Sequence, residues 1–322
     1  MQLIGLHHVS LFTASVEQNH HFYTKVLGMR LVKKTVNQDN TSSYHLFYAD
    51  AEGNPGTEVT FFDIPGAART HEGTSSISST SLRVPTTESL EFWAKRFEQF
   101  NVEHEEIKKR ANRDTLAFTD FEGTRLILVA DNGEKGVAAG VPWKRDDIPV
   151  EHAIIGLGPV TLTVSTVEPT AAVLTSVMGF KHVGSYPSLK GESFAPIQVY
   201  ATGEGGSGAE VHIEARPELP RTRLGRGGVH HVAFRIPNEE EYYKWVEKIK
   251  SAGLINSGEV ERYYFKALYF REPNGILFEL STDTPGFATD EPMETMGESL
   301  ALPPFLEPQR AEIEAKLRPL SL

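Results

Sequence analysis

From Gly227 to Ser281 the apolar and polar residues fall into three successive periods. Val229-His230-His231-Val232-Ala233-Phe234-Arg235-Ile236 alternates as a half-buried strand, with Val232, Phe234 and Ile236 on one face and His231 and Ala233 on the other. Helical spacing follows from about Asn238 to Ala252, with Gly253 placed to stop it. Pro273-Asn274-Gly275 then turns the chain into a second strand, Ile276 to Ser281, whose Ile276, Phe278 and Leu280 lie opposite Leu277, Glu279 and Ser281. If both apolar sets cover the same helix, His231 and Glu279 project together from the uncovered face of the sheet.

The opening phrase occurs twice. Leu6-His7-His8-Val9-Ser10-Leu11-Phe12 repeats its register and places His8 where His231 stands. Four segments share one plan of a strand, an amphipathic helix and three further strands. The first, from about Leu6 to Ile64, has a helix over Val16–Leu27 stopped by Gly28, then strands over Arg30–Asn37, Ser43–Tyr48 and Thr57–Asp63. The second opens with Ile77–Val84 and has a helix over Thr87–Phe100, started by Thr86-Thr87-Glu88. Its strands follow over Glu103–Arg110, Thr115–Thr119 and Arg125–Ala130. A Gly-, Asp- and Pro-rich connector runs from Asp131 to about His152 and divides the halves. The third unit starts with Val160–Val164, has a helix over Pro169–Met178 before Gly179, and closes with Ala209–Ala215. In the fourth, the middle strands lie near Glu259–Tyr264 and Ala267–Phe270. A repeat of about seventy residues is too long for a solenoid and suits paired half-barrels. The expected domains are 1–150, holding modules 6–64 and 77–130 plus the connector, and 151–322, holding modules 157–215 and 227–282 plus a tail, 283–322.

Composition narrows the chemistry. The 322 residues suffice for two ordinary domains, and a formal charge of −11 disfavours nucleic acid or an anionic membrane surface as partner. With no cysteine there are no disulfides, thiolate nucleophiles or Cys-ligated metals. No apolar span of transmembrane length appears, and Met1-Gln2-Leu3-Ile4-Gly5 lacks a basic leader, so a cytoplasmic protein is expected. His8, His231 and Glu279 together offer two imidazoles and one carboxylate. That set leaves one side of a metal open, as non-haem Fe(II) chemistry requires when substrate and O2 both need vacant positions.

These twin phrases and the fourfold repeat resemble the vicinal oxygen chelate superfamily, which includes glyoxalase I, extradiol ring-cleaving dioxygenases and fosfomycin-modifying enzymes. The resemblance implies an α+β fold of four βαβββ modules forming two open half-barrel pairs, with metal ligands on the first and last strands of units. The first-strand equivalents are His8, Ser79, Pro159 and His231, and the last-strand equivalents are Thr60, Ile127, His212 and Glu279. Two triads therefore compete: His8, His231 and Glu279, needing the first and fourth units to share a cleft, and His212, His231 and Glu279, needing the third and fourth. The alternation of Ala209 to Ala215 also allows Glu210, His212 and Glu214 to face solvent.

Within the superfamily the chain is most similar to the hydroquinone ring-cleaving dioxygenases, over nearly its whole length. That resemblance implies Fe(II), with Mn(II) as the alternative, on His8, His231 and Glu279. It also implies site roles for His7 and His230, which precede the two ligand histidines, for Ser10, where a member of that family has threonine, and for Arg262 and Tyr269 on the middle strands of the fourth unit. By strand parity alone His7 and His230 fall on the opposite face from the ligands, whereas Ser10 shares the face of His8. Tyr263, Tyr264, Phe265 and Phe270 suit a flat ring, and His45 could edge the cleft. The implied reaction opens a para-diol ring with both atoms of O2, on a small aromatic substrate, in a chain that can form a homo-oligomer. The rival readings are a glyoxalase-type isomerase or lyase and a binding protein for a small aromatic or an antibiotic. A cleft built from units two and three is expected to be structural. The tail, with a helix over about Gln309–Leu317, is expected to cover either the cleft or a neighbouring subunit.

Overall fold

The computed structural model describes residues 1–320. The first unit supplies β1 (Leu6–Thr13), β2 (Arg30–Asn37), β3 (Asn40–Ala49) and β4 (Glu58–Asp63). The second supplies β5 (Ser76–Val84), β6 (Lys108–Arg110), β7 (Arg113–Thr119) and β8 (Arg125–Ala130). From the third come β9 (Gly156–Val164), β10 (Lys181–Tyr186), β11 (Ile197–Ala201) and β12 (Glu210–Ala215), and from the fourth β13 (Val229–Ile236), β14 (Val260–Glu261), β15 (Phe265–Arg271) and β16 (Leu277–Pro285). They form two curled eight-stranded sheets, ordered β14-β15-β16-β13-β1-β4-β3-β2 and β10-β11-β12-β9-β5-β8-β7-β6. The first and fourth units thus share one sheet, the second and third the other, and each sheet takes half its strands from either side of the 131–152 connector.

All four units keep one internal register. The parallel pairs Ser10↔Thr60, Ser81↔Ile127, Thr161↔His212 and Ala233↔Glu279 each join a last-strand ligand position to the residue two places after the first-strand position. Helices cover the outer faces. In α2 (Thr87–Phe100) the Thr86 side chain accepts from the Ser89 amide, and Leu90, Trp93 and Phe97 are buried at helical spacing. α4 (Glu239–Ser251) repeats this with an Asn238 cap and buried Tyr242, Trp245, Val246 and Ile249. Each such side chain stabilises the fold by roughly 1.5–3 kcal/mol. The helices of units one and three differ from expectation, because Val16–His20 and Val167–Ala172 pass into wider π-type turns over His21–Val26 and Val173–Val177. Gly28, at φ +69°, stops the first as expected.

Two expected strands are shorter. Only Lys108–Arg110 of the 103–110 segment pairs as a strand, since its start is exposed and polar at the sheet edge. The 259–264 segment stops at Glu261, because Tyr263 adopts φ +68° and turns the chain back so that the Arg262 amide bonds the Phe265 carbonyl. Arg262 therefore sits on a turn and not in a strand.

The tail closes over the first sheet. Asp290 and Glu291 receive the buried ammonium of Lys33 on β2, and Asp290 also accepts from the Tyr264 hydroxyl at 2.7 Å. Phe287 and Met296 pack with Val32, Phe47, Tyr264 and Phe265 in a cluster separate from the main core. The last helix is Arg310–Lys316. Among the described residues no helix is long and apolar enough to cross a membrane.

Candidate functional site

Both histidine pairs sit on β-bulges. Leu6 and Val9 of β1 are both in the core although three residues apart, and the pairing with β13 shifts register between them. A second shift brings Val229 and Val232 into the core on either side of His230 and His231. One inserted residue in each strand lets both histidines of a pair turn away from the helices. Strict alternation, which sends His7 and His230 to the helix side, fails at these two points.

His8, His231 and Glu279 converge in the first sheet, each nearly sealed from solvent. His8 Nε2 lies 3.3 Å from His231 Nε2 and 3.2 Å from Glu279 Oε2, and His231 Nε2 is 2.7 Å from the same oxygen. Despite that proximity Glu279 Oε2 has no aligned hydrogen-bond donor among the described residues. Three ligands at about 2.1 Å from one metal, at right angles, stand about 3.0 Å apart, and the observed sides bracket that value. The set therefore fits a metal bound on one face. Ser281 Oγ donates to Glu279 Oε1 at 2.7 Å and holds the carboxylate in place. Burial alone would raise the Glu279 carboxyl, but His8 and His231 hold it well below the ordinary range, so it is ionised.

The preceding histidines set the ring tautomers. Burial, with His8 beside it, lowers the pKa of His7, which is neutral. Its Nε2–H faces the Thr282 carbonyl at 3.1 Å, so its Nδ1 is an acceptor and takes the proton of His8 Nδ1 at 3.0 Å. That leaves the lone pair of His8 Nε2 directed at the centre. His230 stands in the same relation to His231, Nδ1 to Nδ1 at 2.8 Å, and burial together with His231 and Arg271 lowers it to about 3. Burial also lowers His231 itself.

Other expected residues surround this centre. Tyr269 pairs across strands with Glu279, and its ring meets that of His231 edge-on at 5.6 Å. Burial and the Glu279 charge push its hydroxyl up, so it stays protonated. Arg262 donates through Nε to Tyr269 Oη at 3.3 Å. Ser10 Oγ lies 2.7 Å from Thr60 Oγ1, which lies 2.9 Å from His45 Nε2, a hydroxyl chain running from the pocket into its wall. His45 stacks on Phe62 at 4.0 Å, and burial lowers its pKa. Phe47, Phe62, Tyr264 and Phe265 complete an aromatic cavity of about 50 Å³ beside His8 and His231.

Several assignments need correction. Phe270 is buried in the main core under α4, on the other face of β15, and Tyr263 lies at the turn, outside this cavity. His212 is neither a partner of His231 nor solvent-facing. It is buried in the second sheet, with Nδ1 at 3.0 Å from Tyr186 Oη and Nε2 at 3.0 Å from Glu210. Phe47 and Phe62 line the cavity, with Thr60 and Glu58 behind it, positions that the sequence pattern alone does not assign to the pocket. Glu58 and Thr60 share a strand face, a signal that was legible. Glu58 Oε2 is buried, without a hydrogen-bond partner among the described residues, 3.6 Å from His7 Nδ1, and burial with Asp50 nearby raises its carboxyl well above the usual range. His7, His8 and Glu58 also cluster closely enough for a metal, but there the two Nδ1 atoms are engaged with each other. A larger cleft of about 600 Å³ lies where the two inter-sheet linkers meet. It is lined by Arg69, Arg221, Arg226 and Arg271 and meets the centre only through His230.

Residues 5–128 and 156–280 match the family model of the glyoxalase/bleomycin resistance protein/dioxygenase superfamily. MhqA of Bacillus subtilis strain 168, itself assigned as a ring-cleaving dioxygenase by inference, is 56% identical over 99% of this chain and 100% of its own length. The chlorohydroquinone/hydroquinone 1,2-dioxygenase of Sphingobium indicum is 30% identical, covering 96% of this chain and 94% of that one. A crystal structure of a Bacillus subtilis protein assigned by inference as a dioxygenase superposes with a TM-score of 0.90 at 36% identity, over 99% of this chain and 98% of that one. Glyoxalase I of Zea mays shares the fold, with a TM-score of 0.63 at 14% identity over 87% and 92% of the two chains. The chain belongs to the glyoxalase/bleomycin resistance protein/dioxygenase superfamily, within its ring-cleaving dioxygenases.

Proposed function

We propose that this chain is a dioxygenase that opens a para-diol aromatic ring and would hold Fe(II) on His8, His231 and Glu279. The observation that carries the reading is the buried triangle of two imidazole nitrogens and one unpartnered carboxylate oxygen. Similarity to a hydroquinone 1,2-dioxygenase supports the substrate class. When bound, the metal would supply a Lewis-acidic, redox-active centre that favours an ionised phenol and brings ring and O2 together.

The chain's own groups orient and protonate. His7 and Thr282 fix the tautomer of His8, His230 does the same for His231, and Ser281 fixes Glu279. The neutral ring of His230 accepts a proton at Nδ1 and exposes its other edge to the linker cleft, so it can move a proton away from the centre. Tyr269 keeps its hydroxyl proton available to a substrate oxygen, and Arg262, its fork engaged by Asp39, steadies that hydroxyl through Nε. Phe47, Phe62 and Phe265 exclude water and present flat apolar walls.

Thr60 occupies the unit-one position that matches Glu279, so the centre has one carboxylate where a glyoxalase-type centre uses more. Anaerobic loading with iron followed by oxygen uptake tests the reading. Uptake with methylhydroquinone and chlorohydroquinone, and none with catechol or a hemithioacetal, is expected. Turnover of the hemithioacetal without oxygen uptake would overturn it.

A further inference from the structure

We infer that Asp39 sets the charge preference of the ring pocket: by filling the guanidinium fork of Arg262 it disfavours rings that carry a carboxylate. The inference rests on the para-diol reading above and concerns which members of that class enter.

Asp39 lies at the tip of the hairpin joining β2 to β3, over the aromatic cavity. Its two carboxylate oxygens take Arg262 Nη1 at 3.2 Å and Nη2 at 2.9 Å, while Arg262 Nε is turned to Tyr269. Gln38, next in the hairpin, donates to the Arg262 carbonyl at 2.9 Å, so hairpin and turn are tied at two points. Arg262 is the sole Lys or Arg among the residues lining the cavity. With Asp39 bound to it, the fixed charge facing a ring is that of Glu279 alone, apart from the metal. A neutral para-diol needs no unpaired cation beyond that metal. A ring carboxylate meets an arginine whose planar fork is already matched by an acid.

The cavity is too small for a ring as it stands, so part of its lining must give way. It encloses about 50 Å³, whereas a cavity that receives benzene needs about 150 Å³. Asp39 is the exposed partner of the pair, its side chain 72% accessible against 21% for Arg262. Exposed ion pairs add little to stability, so Asp39 can be replaced without loss of the fold. Asp39 itself is close enough to repel a second acid there.

Anaerobic calorimetry tests this without turnover, on iron-loaded and metal-free protein, with methylhydroquinone and 2,5-dihydroxybenzoate as probes. The wild type is expected to bind the neutral ring at least about tenfold more tightly. Asp39→Asn should cut that ratio about tenfold, the order for one unit charge about 6 Å away at an effective dielectric near 40. Asp39→Glu should keep the wild-type ratio, and 0.5 M salt should narrow the difference between the variants. A ratio in Asp39→Asn within twofold of wild type overturns the inference while leaving the para-diol reading intact, and so does a wild type without preference. Failure of the wild type to bind either ring overturns both.

Discussion

In the sheet made by the outer units, the four matching positions hold His8, Thr60, His231 and Glu279. In the sheet made by the inner units they hold Ser79, Ile127, Pro159 and His212. Both interiors contain buried acids and histidines, but they are wired differently. In the inner-unit sheet Tyr186 Oη donates to His212 Nδ1, His212 Nε2 donates to Glu210, Glu210 takes the fork of Arg113 at 2.7 and 2.8 Å, and Arg113 reaches Glu134 at 2.7 Å. Every group in that chain has a partner, beside a cavity of about 20 Å³. In the outer-unit sheet three potential ligand atoms face one point, and Glu279 Oε2 has no aligned hydrogen-bond donor among the described residues. Satisfied polar groups stabilise a fold, and converging unsatisfied ones mark where something else binds.

The largest effect expected from this contrast is on metal retention. His8→Ala should abolish stoichiometric iron binding and lower turnover by at least about a thousandfold, roughly 4 kcal/mol. His212→Ala should leave iron stoichiometry unchanged, as metal analysis of the two purified variants would show, and the reverse result breaks the comparison. Next in size, Glu210→Ala leaves the half-buried Arg113 with Glu134 alone and should cost about 2 kcal/mol in urea denaturation while sparing iron content. The same pair gives a pH signature. Burial would raise Glu210, but His212 and Arg113 bring it down to about 2, below its ordinary value, so its contribution is present above about pH 4.5 and lost as pH falls toward 2. Glu210→Gln should flatten that acid limb, and an unchanged limb would refute the assignment.

A smaller effect is expected at Thr60. Thr60→Val cuts the Ser10–Thr60–His45 chain and should raise KM for a para-diol about tenfold, or about 1.4 kcal/mol, with kcat little changed. At the matching place in the other sheet, Ile127→Val should move melting by about 1 kcal/mol and KM not at all. The smallest effect belongs to Glu58, whose raised carboxyl keeps its proton. A raised acid pKa means that ionisation opposes folding as pH rises, so Glu58→Gln should hold or slightly raise stability, within about 1 kcal/mol at pH 7. A loss above about 2 kcal/mol would show that the carboxylate form is used.

Much of this arrangement could be read from the chain. The twin His-His phrases and the fourfold repeat mark the first- and last-strand positions that the sheets share, because a period-two pattern carries its register with it. Bulges defeated the same logic at His7 and His230, since one inserted residue reverses parity without a compositional mark. The turn at Tyr263, which presents Arg262, likewise arises from a non-glycine residue at positive φ that alternation cannot announce. The wall residues from unit one, Phe47 and Phe62, carry no such mark, because aromatics stand on both faces of β3 and β4, Tyr48 and Phe61 in the core and Phe47 and Phe62 at the cavity. The polar network of the inner-unit sheet looked like a solvent face because Glu210 and His212 alternate with apolar residues as an exposed strand does, and the partners that bury them, Arg113 and Tyr186, lie far away in sequence.

The nested pairing of units also orders events during synthesis. Residues 76–215 contain every strand of one sheet in an unbroken run, whereas the other sheet joins the two ends of the chain. Emerging at some 5–20 residues per second, the nascent polypeptide can complete the contiguous sheet while β1 to β4 still lack their partners. His8 thus leaves the ribosome 223 positions ahead of His231, and the three converging side chains can meet only near the end of translation.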